Sequence, residues 1–286
     1  MTTMNTASQT ISHAPPTASP PDLRAIKGRQ QTIWSSGDYG VIGARLPVVS
    51  EELCEAVDLR SGERVLDVAT GTGNTAIAAA RRWCSVTGID YVPALLAHGR
   101  ERARAEGLPV DFRDGDAEAI PFADGTFDAV LSTYGVMFAP DQEKVAAELV
   151  RVSRSGGRIG LANWTPEGFI GAMLKTVGRY VPPAPGLRSP LLWGTEARLR
   201  ELFDEDTIEI SISRKTYAFR FASSEHFIDV FRRWYGPVLH AFSTLDEEDQ
   251  GALTRDLEAL LAARARDAGP GLVVDGEYLE VVMTRA

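Results

Sequence analysis

Between Glu63 and Trp164, short apolar or β-branched runs alternate with stretches of helical period, and no other feature constrains the fold of this chain as strongly. The runs fall at residues 64–68, 85–89, 110–113, 127–132 and 158–163. The spacing predicts helices over 74–82, 93–105 and 142–154, with Ser155-Gly156-Gly157 as a turn. Pro93 suits a first helical turn and Gly107 a helix end. Strands separated by helices of this length run parallel, and right-handed crossovers place helices on both faces of the sheet. The expected fold is therefore α/β, a doubly wound, mostly parallel sheet with helical cap insertions around the last strands.

The flanking segments divide the chain further. Residues 1–21 are rich in Thr, Ser, Ala and Pro and lack the basic start and apolar core of a secretory signal, so they read as a disordered leader. Residues 22–60 read as N-terminal helices, 61–164 as the cofactor-binding core, and 165–286 as the final strands of the same sheet with cap helices. In the last part, helical period covers 169–180, 196–203, 224–242 and 247–266, an extended run covers 207–221, and a last strand covers 278–284. No apolar run reaches the ~18 residues of a spanning helix, so a cytoplasmic protein is expected. A net charge of −9 opposes broad contact with nucleic-acid phosphates. Cys54 and Cys84 belong to no metal-ligand pattern and read as reduced structural thiols, with no metal site expected.

The strongest local signal is Val65-Leu-Asp67-Val-Ala69-Thr70-Gly71-Thr-Gly73-Asn-Thr-Ala76, a strand entering a turn of small residues that opens a helix. Such a turn lets backbone amides approach a ligand at a helix N-terminus. Gly71-x-Gly73-x-x-Ala76 also fits a dinucleotide fingerprint, with Asp90 where a ribose-binding acid belongs. Asp67 weighs between the two. A carboxylate beside the turn repels a pyrophosphate and attracts a sulfonium and an ammonium, as in S-adenosylmethionine. Asp90 and Asp116 end the second strand and follow the third; they suit ribose hydroxyls and an adenine amine. Asp67 also reads as a turn cap and Asp90 as a helix cap, and Asp116 as a solvated loop carboxylate.

The ordered set Leu-Asp-Val-Ala-Thr-Gly-Thr-Gly at 66–73, Gly-Ile-Asp at 88–90, Gly-Asp-Ala-Glu-Ala-Ile-Pro-Phe at 115–122, Phe-Asp-Ala-Val at 127–130 and Arg-Val-Ser-Arg-Ser-Gly-Gly-Arg at 151–158 resembles class I S-adenosylmethionine-dependent methyltransferases. The pattern is closest to the small-molecule branch that contains quinone-biosynthesis enzymes. The resemblance implies a Rossmann-like fold and S-adenosylmethionine as cofactor. It places Asp67, Ala69, Thr70, Gly71 and Gly73 on the methionine and ribose side. Asp90 would hold the ribose, Tyr91 pack on the adenine, and Asp116 with Ala117 read its edge. Ser132 or Thr133 would meet the methionine amino group through a backbone carbonyl. Ala69 stands where the family pattern has its first Gly, and Ser155 where it has Pro.

Transfer of methyl from a sulfonium is an in-line displacement that alignment alone accelerates, so a dedicated base is optional. Of the four histidines only His226 and His240 fall where an acceptor could be reached, and no catalytic base is assigned. Trp34, Tyr39, Tyr134 and Trp164 are the expected walls of a pocket for an apolar small-molecule acceptor. Phe138, Trp234 and Tyr235 belong to the same aromatic set, whereas Phe227 and Phe231 read as core. The acceptor, the atom methylated and the oligomeric state are left open. A nicotinamide-dependent oxidoreductase and a non-catalytic cofactor-binding module are the alternatives.

Overall fold

The computed structural model describes residues 22–203, 208–267 and 269–286, so the leader expected over 1–21 and the start of the extended run at Thr207 lie outside the described residues. Seven strands form one sheet: β1 (Arg64–Val68), β2 (Ser85–Asp90), β3 (Val110–Asp114), β4 (Phe127–Thr133), β5 (Ser153–Trp164), β6 (Ile208–Phe221) and β7 (Leu272–Arg285). Their order is β3-β2-β1-β4-β5-β7-β6. The first five are mutually parallel and β7 runs antiparallel to both neighbours. This is the expected doubly wound, mostly parallel sheet. Strand order reverses at β1, which lies between β2 and β4, and such a switch point opens a crevice at the carboxyl ends of the strands.

Helices α1 (Leu23–Ser35), α2 (Tyr39–Gly43) and α3 (Pro47–Ala56) precede the sheet; α4 (Asn74–Arg81), α5 (Pro93–Ala105) and α6 (Gln142–Val152) make the crossovers. Leu66, Val68, Ile89 and Leu131 are fully buried, as the apolar runs require of strands covered on both faces. After β5 come α7 (Phe169–Tyr180), α8 (Glu196–Leu202), α9 (Ser224–Trp234), α10 (Gly236–Thr244) and α11 (Glu247–Arg264).

Three boundaries differ from the sequence reading. The single helix expected over 224–242 is two, because Pro237 lacks the amide hydrogen that a continuous helix needs; Tyr235 is extended between them, with φ −89° and ψ 106°. The turn expected at 155–157 lies inside β5, where the pairing with β4 slips between Phe127 and Ala129 and Gly156 takes a φ of 67°. The last strand begins at Leu272 rather than Tyr278, because β7 pairs with β6 over its whole length. Among the described residues, no helix is long and apolar enough to cross a membrane.

Candidate active site

The carboxyl ends of β1 to β4 open into one cavity, roofed by α1 and α2 and closed on the far side by β5, β6 and the cap helices. Of the expected cofactor residues, Asp67, Ala69, Thr70, Gly71 and Asp90 line it, as do Tyr91, Asp116, Ala117 and Thr133. The expected pocket aromatics Trp34, Tyr39, Tyr134 and Trp164 line it as well. Gly73 does not. It precedes α4 with a φ of 83°, and a Cβ there would sit 2.6 Å from the Phe112 ring, so packing of the turn on β3 requires its smallness.

Each of the three acids accepts backbone amides of the turns at the strand ends. Asp67 is 1% exposed, and one carboxylate oxygen accepts both the Thr70 hydroxyl and the Ala76 amide, the latter at 2.9 Å. Burial pushes its carboxyl up to about 7. Asp90 accepts the Gly71 amide on one oxygen and the Val92 amide on the other, both at 2.9 Å, and burial raises it to about 6. Asp116 accepts the Glu118 amide at 2.9 Å. The cap readings of Asp67 and Asp90 are thus part of the structure, Asp116 caps its turn where a solvated loop carboxylate is the alternative, and each oxygen of Asp90 keeps a lone pair besides.

Sequence reasoning missed Lys27. Its Nζ lies 2.5 Å from Asp116 and 2.6 Å from Glu118, bringing α1 onto the loop after β3. Gln31 donates to the Tyr91 carbonyl at 2.5 Å and Gln30 to the Phe138 carbonyl at 2.9 Å, so α1 bridges both banks of the cavity. Nothing local in the sequence pairs Lys27 with acids 89 and 91 positions away. Asn74 was also missed; it donates to the Gly43 carbonyl at 2.8 Å, and its Oδ1 is buried on the cavity wall with no partner among the described residues. Thr75 donates its hydroxyl to Thr133 at 2.8 Å.

Charge is confined to one side of the cavity, where Tyr91 and Tyr39 also lie, and the other side is aromatic. The charged side chains on the wall are Lys27, Asp67, Asp90, Asp116 and Glu118, gathered around the ends of β1, β2 and β3. Over β4, β5 and β6 the wall is formed by Tyr134, Trp164 and Phe219, with Phe231 and Tyr235 from the cap. Trp34 bridges the halves, 5.7 Å from the Tyr39 ring, 5.0 Å from Phe138 and 5.7 Å from Tyr235. Phe231, expected in the core, is buried there and stacks on Phe227 at 4.1 Å, and it also lines the cavity. Trp234, expected among the pocket aromatics, is 36% exposed and off the wall, turned outward by the break at Tyr235. His226 accepts the Ala222 amide and His98 lies 3.4 Å from Asp38; no histidine among the described residues lines the cavity.

A model of the methyltransferase domain matches residues 65–157. Over 229 residues the chain is 41% identical to uncharacterized protein Rv1403c of Mycobacterium tuberculosis, covering 79% of this chain and 84% of that one. The chain belongs to the class I S-adenosylmethionine-dependent methyltransferases. The methyltransferase match decides between the two cofactors that Gly71-x-Gly73-x-x-Ala76 leaves open: S-adenosylmethionine is the cofactor. Demethylmenaquinone methyltransferase of Thermus thermophilus is 40% identical over 138 residues, 46% of this methyltransferase and 63% of that one. In fold, the methyltransferase resembles the YcgJ protein of Bacillus subtilis, with a TM-score of 0.58 at 19% identity, covering 82% of this chain and 97% of that one.

Proposed function

We propose that this methyltransferase acts on an uncharged, largely apolar, planar small molecule, held over β4 to β6 while the nucleoside of the cofactor lies over β2 and β3. The observation that carries the reading is the confinement of charge to one side of the cavity, the other being aromatic. Aromatic walls bury apolar rings and leave a charged acceptor without compensation for its lost hydration. The relative from Thermus thermophilus, named for a quinone, supports the same class.

The residues present suit the cofactor. Asp90 keeps lone pairs for two ribose hydroxyls, the loop 116–118 meets the adenine edge, and the unpartnered Asn74 oxygen accepts a proton of the ammonium group. S-adenosylmethionine supplies an electrophilic methyl group on a sulfonium. What the chain supplies is enclosure and alignment: α1 and the aromatic walls exclude water, and rigid rings hold the acceptor atom in line, an effect able to lower a barrier by roughly 7–11 kcal/mol. No histidine among the described residues lines the cavity, and no base is assigned.

Formation of S-adenosylhomocysteine, followed across an acceptor panel, tests the reading. Hydroxylated naphthalenes, reduced naphthoquinones and indoles are expected to turn over, while glycine, sarcosine and polyamines are not. Turnover confined to the charged acceptors would overturn it.

A further inference from the structure

Tyr134 combines features that the fold by itself does not use. It follows the last residue of β4 with a φ of 60°, a left-handed conformation rare for bulky residues and found where surrounding structure holds it for a purpose. Its amide donates to the Ala162 carbonyl at 2.8 Å, which ties the turn to β5. The ring stacks on Trp164 at 3.8 Å with 6° between planes, and Tyr278 meets it edge-on at 5.8 Å. The side chain is 4% exposed, and its hydroxyl has no hydrogen-bond partner among the described residues.

Three phenols interact with it electrostatically, Tyr39, Tyr217 and Tyr278, and none of them is hydrogen-bonded to it. Tyr278 donates to Glu52 at 3.0 Å and Tyr217 to the Arg45 carbonyl. A phenylalanine at 134 would keep every ring contact and avoid burying an unpaired polar group. The oxygen is therefore the part of the residue left without a structural task, and it sits on a residue of the aromatic, acceptor side of the cavity.

We infer that the Tyr134 hydroxyl is a specificity-determining group, which hydrogen-bonds a polar substituent on the ring system of the acceptor while the Tyr134–Trp164 stack forms the wall beside it. This rests on the acceptor class proposed above and narrows it to planar molecules that carry a hydroxyl or carbonyl. A site built to pair such a group discriminates against the analogue that lacks it, because the protein partner is then buried unpaired.

The test uses 1-naphthol and naphthalene as probes, bound calorimetrically to the S-adenosylhomocysteine complex of the wild-type chain and of Tyr134→Phe, so that it needs no turnover. Wild type is expected to bind 1-naphthol at least tenfold more tightly than naphthalene, and Tyr134→Phe to bind the two alike. The variant should melt no lower than wild type and hold S-adenosylhomocysteine within twofold of it. Equal affinities in wild type, or a preference that survives in the variant, overturn the inference. A lower melting temperature would give the hydroxyl a partner in the fold, and a tenfold loss of S-adenosylhomocysteine affinity would assign it to the cofactor; either overturns it. Failure of both probes to bind wild type would instead overturn the acceptor class, and the inference with it.

Discussion

Lys27 and Asp116, 89 positions apart in the chain, meet at 2.5 Å, and the same ammonium lies 2.6 Å from Glu118. The contact fastens α1 across the cavity together with Gln30 and Gln31, while Ile26 and the partly buried Trp34 are the apolar anchors of that helix. A helix held this way opens at low cost. Replacing Lys27 with Met is expected to accelerate both association and dissociation of S-adenosylhomocysteine, each roughly fivefold to tenfold, since the two partly exposed pairs together contribute about 1 kcal/mol. Stopped-flow fluorescence checks this. Added salt should speed exchange in wild type and leave the variant nearly unchanged; identical rates in the two proteins would show that α1 is not latched by this pair.

The burial of Asp67 gives a pH dependence with a definite sign. Its folded carboxyl titrates at about 7 and that of Asp90 at about 6, both raised by burial, whereas carboxyls of the unfolded chain titrate near ~4. Between those limits the folded state keeps protons that the unfolded state has lost. The stability these groups contribute is therefore greatest below about pH 4 and declines as pH rises to about 7. Asp67→Asn, whose amide oxygen still accepts from Thr70 and Ala76, is expected to raise the melting temperature of the ligand-free protein at pH 8 and to change it little at pH 5. A cationic ligand favours the ionised carboxylates, so affinity for S-adenosylmethionine should rise from pH 5.5 to 8, more steeply than that for the uncharged thioether S-adenosylhomocysteine. Parallel pH profiles for the two would remove the acids from contact with the sulfonium charge.

What could be read from the sequence is what local chemistry dictates. The change of period after Glu63 fixes strands and crossovers, and an acid such as Asp90 at the end of an apolar run can be placed at a strand end because strand length is itself a local property. What lies across the cavity from it is set by packing between distant elements. The pairing of Lys27 with Asp116 joins a helix before the sheet to a loop after its third strand, and no periodicity encodes that. Phe231 reads as core from its helical spacing, and its helical neighbour Phe227 is core; which of the two also meets the cavity depends on where the chain breaks at Tyr235. Gly73 shows the converse. Its motif position suggests ligand approach, while its surroundings give it to Phe112.

Gly71 and Gly73 should accordingly respond differently to alanine. At Gly73 a Cβ would lie 2.6 Å from the Phe112 ring in a backbone of φ 83°, so Gly73→Ala is expected to lower stability by about 2–4 kcal/mol through strain and overpacking. At Gly71, with φ 55°, a Cβ would meet only the Tyr39 ring, at 3.8 Å, and would project toward the cavity wall. Gly71→Ala should cost about 1 kcal/mol of stability and at least tenfold in S-adenosylhomocysteine affinity. Urea melts and calorimetry on both proteins separate the effects; an affinity loss confined to Gly73→Ala would reverse the assignment.

Asp90 sits at the end of a strand, which suggests a residue removable without harm to the fold, but its oxygens accept the Gly71 and Val92 amides at 2.9 Å. Asp90→Ala would leave two buried donors unpaired at roughly 1–3 kcal/mol each, so loss of binding in that variant would report on folding as much as on the ribose. Changing the ligand avoids the difficulty. If Asp90 holds the ribose hydroxyls, removing one of them removes a hydrogen bond to a charged group, worth about 1.5–3 kcal/mol, while the protein stays intact. Methylthioadenosine is therefore expected to bind wild type at least tenfold more tightly than its 2′-deoxy or 3′-deoxy analogue. The preference should shrink as pH falls below about 6, where the Asp90 carboxyl takes up a proton and accepts less strongly. Equal affinity of all three ligands at pH 8 would take the ribose away from Asp90 and leave the carboxylate as a cap for the turns at Gly71 and Val92.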